Sequence, residues 1–76
     1  MFSKKIKTIV SIEGMSCEHC AKKVESALKS LENVKSIKVF LSKKEAVITS
    51  EEKLDFNLIK DAIEELDYKV NDISEK

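Results

Sequence analysis

The chain has no proline, no tryptophan and one glycine, Gly14. It has no arginine either, so all 14 basic residues are lysine. That removes the side chain usually chosen for bidentate recognition of phosphates and base edges. Two cysteines are too few for the disulfide framework of a small secreted domain. No stretch approaches the roughly 20 apolar residues of a membrane span. Residues 1–7 are basic, but Thr8, Ser11 and Glu13 interrupt the apolar run that follows. That run is too polar for the core of a signal peptide, and no small-residue cleavage site follows. The expected location is the cytosol, where thiols stay reduced.

What is present describes a small globule. The 76 residues are 42% hydrophobic and 37% charged, with 14 basic against 14 acidic side chains. Length and composition predict one domain over residues 1–76 with a thin core. Zero net charge gives no bulk attraction to nucleic acid or anionic membrane. The charge is unevenly spread. Residues 1–44 hold ten lysines and four acids, and residues 45–76 hold four lysines and ten acids, so the halves carry +6 and −6. A dipolar molecule of this kind can orient on an acidic partner.

Six segments follow from periodicity. Residues 5–13 alternate Ile6, Thr8, Val10 and Ile12 against Lys7, Ile9, Ser11 and Glu13, a strand pattern. From residue 17 to about 31, Cys20, Val24, Ala27, Leu28 and Leu31 form the stripe of a helix, with Ser16 as the expected N-cap. Glu18 with Lys22, and Glu25 with Lys29, are expected to pair along its wet side. Residues 34–41 and 45–49 read as a hairpin joined through Ser42, Lys43 and Lys44. Asp55 is the expected N-cap of a second helix to about Leu66, with Leu58, Ile59, Ala62, Ile63 and Leu66 inward. Tyr68, Val70 and Ile73 predict a short last strand, and residues 74–76 a frayed end. Phe2, Phe40 and Phe56 suggest packing or terminal roles. The order βαββαβ predicts a ferredoxin-like α+β sandwich, a four-stranded antiparallel sheet with both helices on one face.

The chemistry lies in Gly14-Met15-Ser16-Cys17-Glu18-His19-Cys20. Two thiols three residues apart at a helix start can face one small ion. The helix N-terminus favours thiolate over thiol. Thiolates are soft ligands suited to Cu(I), which accepts two near-linear sulfurs. A lone glycine in this loop suggests a backbone need. Other readings of the pair stay open. Structural zinc normally takes four ligands, whereas Cys17, Cys20 and His19 supply three at most. A thioredoxin-like redox pair would want a facing cis-proline, and the chain has none. A structural disulfide would close only a four-residue loop, worth roughly 2 kcal/mol.

This segment resembles the GMxCxxC signature of heavy-metal-associated domains, which include small copper chaperones and the metal-binding domains of copper-transporting P-type ATPases. The similarity covers nearly the whole chain and extends to the ending Ala62-Ile63-Glu64-Glu65-Leu66-Asp67-Tyr68-Lys69-Val70. It implies a cytoplasmic carrier, not an enzyme, active in copper homeostasis. Cys17 and Cys20 would bind Cu(I) and pass it by ligand exchange to an ATPase domain or a copper-responsive regulator. A monomer and a metal-bridged dimer both fit. The family commonly has glycine where Asp67 stands, so a positive φ there would fall on aspartate.

Single residues carry two readings each. Met15 is a core residue beneath the loop or a reserve ligand. His19 faces solvent or joins the ion. Tyr68, which bacterial members of the resembled family share, shields the metal or packs. Lys22 and Lys23 line a solvated helix face or steer an acidic partner. The alternatives for the whole chain are a carrier or sensor of zinc, cadmium or mercury, and a metal-binding domain of a P-type ATPase. An RNA-recognition motif shares the element order but needs stacking aromatics on its central strands, and the segment 45–49 has none. An acylphosphatase-like enzyme would need an arginine in a phosphate-cradling loop.

Overall fold

The computed structural model describes residues 5–75. The elements are β1 (Ile6–Glu13), α1 (Glu18–Lys29), β2 (Val34–Phe40), β3 (Glu45–Ser50), α2 (Phe56–Glu64) and β4 (Lys69–Glu75). They form one sheet in the order β2-β3-β1-β4, antiparallel at every pairing. This is the ferredoxin-like βαββαβ arrangement. The expectations placed on Phe2 and Lys76 lie outside the described residues.

The period-two pattern decides which face is covered. Thr8, Val10 and Ile12 of β1 and Ala46, Ile48 and Ser50 of β3 are buried, as is Ile37 of β2. Val24 and Leu28 of α1 and Ile59 and Ile63 of α2 close over them, with Met15 and Leu54. Helical i, i+4 spacing therefore meets strand i, i+2 spacing across one apolar layer. The other sheet face carries Lys7, Ile9, Val47, Thr49 and Lys38, none of them buried.

Several details differ from the sequence expectations. Ser74 and Glu75 are not frayed: they pair with Ile9 and Thr8, so β4 runs nearly the length of β1. A register shift at Ser11/Ile12 lets β4 follow β1 on both sides of the irregularity. Leu58 is 54% exposed rather than inward, because α2 turns only Ile59 and Ile63 fully onto the sheet. Phe40 is 40% exposed, with the Lys43 ammonium 5.9 Å from its ring centre. Neither Glu18–Lys22 nor Glu25–Lys29 closes. The one ion pair among the described residues is Lys35–Glu51 at 2.7 Å, between exposed side chains, and such pairs contribute little. Asp55 does cap α2, its carboxylate accepting from Asn57 N–H at 2.9 Å.

Turns are made with few glycines. Asn33, Lys44 and Asp67 take φ of 70°, 54° and 69°, the left-handed region that glycine usually fills. Lys44 N–H donates to Leu41 C=O at 3.1 Å to close the hairpin, and Lys44 C=O accepts from Ile12 N–H at 2.8 Å, which ties the hairpin to the end of β1. Asp67 N–H donates to Glu64 C=O at 3.0 Å, so Asp67 finishes α2.

Two polar side chains sit in the core, Thr8 and Ser50. Ser50 donates to Glu52 C=O at 2.7 Å. The Thr8 hydroxyl has no partner among the described residues. A buried hydroxyl without a partner costs on the order of 1 kcal/mol or more. Thr8→Val keeps the shape and removes the hydroxyl. We expect it to raise unfolding stability by about 1 kcal/mol, seen as a higher urea midpoint at unchanged slope. A lower midpoint would mean that the hydroxyl is satisfied by water.

Candidate metal centre

The loop between β1 and α1 is set by one alternation of exposure. Gly14 and Ser16 are exposed, and Met15 between them is fully buried. Met15 thus packs as core beneath the loop. Gly14 has φ of +98°, a conformation costly for any residue with a Cβ. A Cβ added there would lie 3.4 Å from Tyr68 Cδ1. The glycine therefore turns the chain where the tyrosine ring lies close.

The helix begins one residue later than the sequence suggests. Cys17, not Ser16, occupies the N-cap, with extended torsions (φ −143°, ψ 167°) and no side-chain cap hydrogen bond. Its carbonyl accepts from Ala21 N–H at 3.0 Å. With Cys17 extended, its thiol is exposed at the mouth of α1, and Cys20 is half-buried on the first turn. Both are free, with their sulfurs 3.1 Å apart, sharing a hydrogen bond. The spacing is that of a hydrogen-bond contact in which either sulfur can donate. Two sulfurs each about 2.3 Å from one tetrahedral ion stand about 3.8 Å apart, so the pair must open to accept one.

The electrostatics favour charge on Cys20. Its pKa is lowered from 9.0 to about 7. The first cause is the Tyr68 hydroxyl, followed by the Cys17 thiol and the Ser16 backbone, against a smaller opposing effect of desolvation. In the hydrogen bonding of the described groups the Cys20 sulfur pairs with Cys17 Sγ. The phenol acts as a nearby donor to the charged form rather than as a closed hydrogen bond. Tyr68 shows the reciprocal effect: its pKa rises to about 12, chiefly through Cys20.

The structure thus brings together Cys17, Cys20, Gly14 and Tyr68. It leaves His19 exposed on the first turn. Among the described residues no three His, Cys, Asp or Glu side chains converge as a metal-holding group. Lys22 and Lys23 are exposed and line a shallow groove with His19, Ser26, Ala27 and Leu66. Sequence reasoning missed the approach of Gly14 to Tyr68. The lone glycine was the available sign, but nothing local to it points 54 residues ahead.

Comparison with known proteins finds similar chains. The model of the heavy-metal-associated domain matches residues 9–69. A copper chaperone CopZ of Staphylococcus epidermidis is 44% identical over 63 residues, covering 82% of this chain and 93% of that protein. A probable copper-exporting P-type ATPase of Archaeoglobus fulgidus is 44% identical over 64 residues, 83% of this chain but 8% of the ATPase. Among solved structures, a CopZ metallochaperone superposes with a TM-score of 0.78 at 38% identity, covering 84% of this chain and 97% of that one.

Three outcomes follow. Alkylation of Cys20 by iodoacetamide, followed against pH in a Cys17→Ser background, should be half-maximal below 9.0. Tyr68→Phe should move that midpoint upward. An unchanged midpoint would remove the phenol from the site. The sign for stability follows from the lowered pKa: ionised Cys20 favours the folded state above 9.0, and that gain is lost as pH falls through about 7. Separately, Gly14→Ala should cost about 1–3 kcal/mol through its torsion, read from thermal unfolding.

Proposed function

Since the chain belongs to the heavy-metal-associated domain family, we propose that it is a copper chaperone. Residues 1–76 act as one such domain in the cytosol, and the cargo is Cu(I) held on Cys17 and Cys20. The observation that carries this reading is the pair of free sulfurs 3.1 Å apart at the exposed start of α1.

The chemistry proposed is ligand exchange, not catalysis. Cu(I) is soft and accepts two thiolates. A partner thiolate adds to the ion to give a three-coordinate species, and then Cys17 or Cys20 leaves. The ion stays Cu(I) throughout, and no electron moves. Exposure of Cys17 gives the incoming sulfur a path. Cys20, with its lowered pKa, gives up its proton to the ion more readily than an ordinary thiol. Tyr68 holds charge on that sulfur and covers one side of it. His19 stays outside the ligand set.

The partner proposed is the metal-binding domain of a copper-transporting P-type ATPase, with a copper-responsive regulator as the other recipient. Similarity to a segment of a copper-exporting ATPase supports the first, since donor and acceptor would present like sites. Lys22 and Lys23 flank the thiols and would steer an acidic acceptor. The protein is proposed to be monomeric when metal-free and able to share the ion with a second copy.

Competition titration of Cu(I) against a chromophoric chelator, anaerobically and under reduction, tests this. One Cu(I) per chain is expected, bound far more tightly than Zn(II). Binding should be lost in Cys17→Ser, Cys20→Ser and kept in His19→Ala. A preference for Zn(II) that depends on His19 would overturn the copper reading in favour of a zinc or cadmium carrier.

A further inference from the structure

The sheet face away from the helices holds a groove of about 390 Å³. It is lined by Lys5, Lys7, Ser36, Lys38, Val47 and Thr49. The register explains the grouping. Lys7 of β1 faces Thr49 of β3, and Thr49 faces Ser36 of β2, which makes one row across three strands. Val47 faces Lys38 in the next row on the same side. Each polar side chain lining the groove is therefore an ammonium or a hydroxyl, and among the described residues no carboxylate lines it.

The surroundings keep this charge available. Lys5, Lys7 and Lys38 are exposed. Glu51 feels Lys5 but is held by Lys35 at 2.7 Å. The acids of the same sheet face, Glu13, Glu45 and Asp72, lie toward the other end of the strands. Val47 and Thr49 give the floor a half-buried surface against which an extended chain can lie.

The groove is also remote from the thiols. Lys7 stands near the start of β1 and the cysteine loop follows its end, six residues on, or about 20 Å along the strand. The groove lies on the open face, and α1 with its Lys22 and Lys23 lies on the covered one.

We propose that this groove is a second docking surface, which takes an extended acidic segment of a partner protein. Lysine is a point charge without a planar fork, so the groove suits successive carboxylates rather than one bidentate anion. Docking here leaves Cys17 and Cys20 uncovered, so a bound molecule can still exchange an ion. The inference stands apart from the identity of that ion. Contacts of exposed charges are weak, so the docking is salt-sensitive and transient.

The test is a titration of the full chain with an oligoglutamate peptide, followed by amide chemical shifts at low and high salt. Inorganic phosphate and phosphatidylglycerol vesicles are run as separate arms. The expected result is peptide-dependent shifts at Lys7, Ser36, Lys38, Val47 and Thr49, diminished at high salt. Lys5→Gln, Lys7→Gln, Lys38→Gln should weaken the peptide about tenfold, the effect of losing three exposed ion pairs. Lys60→Gln, on the exposed side of α2, should leave it unchanged. Shifts centred on Lys22 and Lys23, an unaffected triple variant, or a response to phosphate or vesicles alone would each overturn the proposal. The spectrum of each variant reports its fold, so loss of structure cannot pass for loss of binding.

Discussion

The burial of Met15 between two exposed neighbours is the constraint on which the thiol end of the molecule depends. A loop leaving a strand could lift away from the sheet, and its cysteines would then wander. Here one side chain of the loop is fixed in the core while the residues on either side face water. Gly14 supplies the torsion that reaching back into the core requires, and Cys17 supplies the extended residue that starts the helix. The two sulfurs are presented at the surface because something beside them is not. A rigid base under an exposed site suits ligand exchange, where the donor must offer its sulfurs without enclosing them.

Much of this was legible in the sequence because the core is written in local periods. Alternation in β1 and β3 and the i, i+4 stripes of both helices gave the element order and the covered face. The Gly14–Cys20 segment gave the thiols and, as one of two readings, the core role of Met15. What was not legible depends on partners far along the chain. Ser74 and Glu75 look like a polar tail, and become a strand only because β1 offers them an edge. Leu58 fits the α2 stripe by spacing, yet the helix is rotated so that Ile59 and Ile63 take the interior. Ser16 is the better capping residue by type, but the helix starts one residue later and Cys17 takes the cap position. The link from Tyr68 to Cys20 joins the last loop to the first, a relation no local window contains.

The charge asymmetry of the sequence also changes meaning in three dimensions. The division at residue 44 suggests a basic half and an acidic half. The fold interleaves those halves, since β3 lies between β2 and β1. Lysines collect instead at two separate places. One is the first turns of α1 beside the thiols, and the other is the open sheet face around Val47 and Thr49. A zero net charge therefore conceals two local fields, each shorter in range than the molecule is long.

Asn33, Lys44 and Asp67 hold left-handed torsions at three of the chain's reversals. Each position accepts a penalty that glycine would avoid, in a chain that places its one glycine beside the thiols. Natural chains are seldom near their stability optimum, and here the unused margin is written in the turns rather than in the core. The hairpin and the end of α2 are accordingly where the sequence can change with the least disturbance to the packed layer. Drift in this lineage would be accommodated at those corners while the buried alternation of β1 and β3 stays fixed.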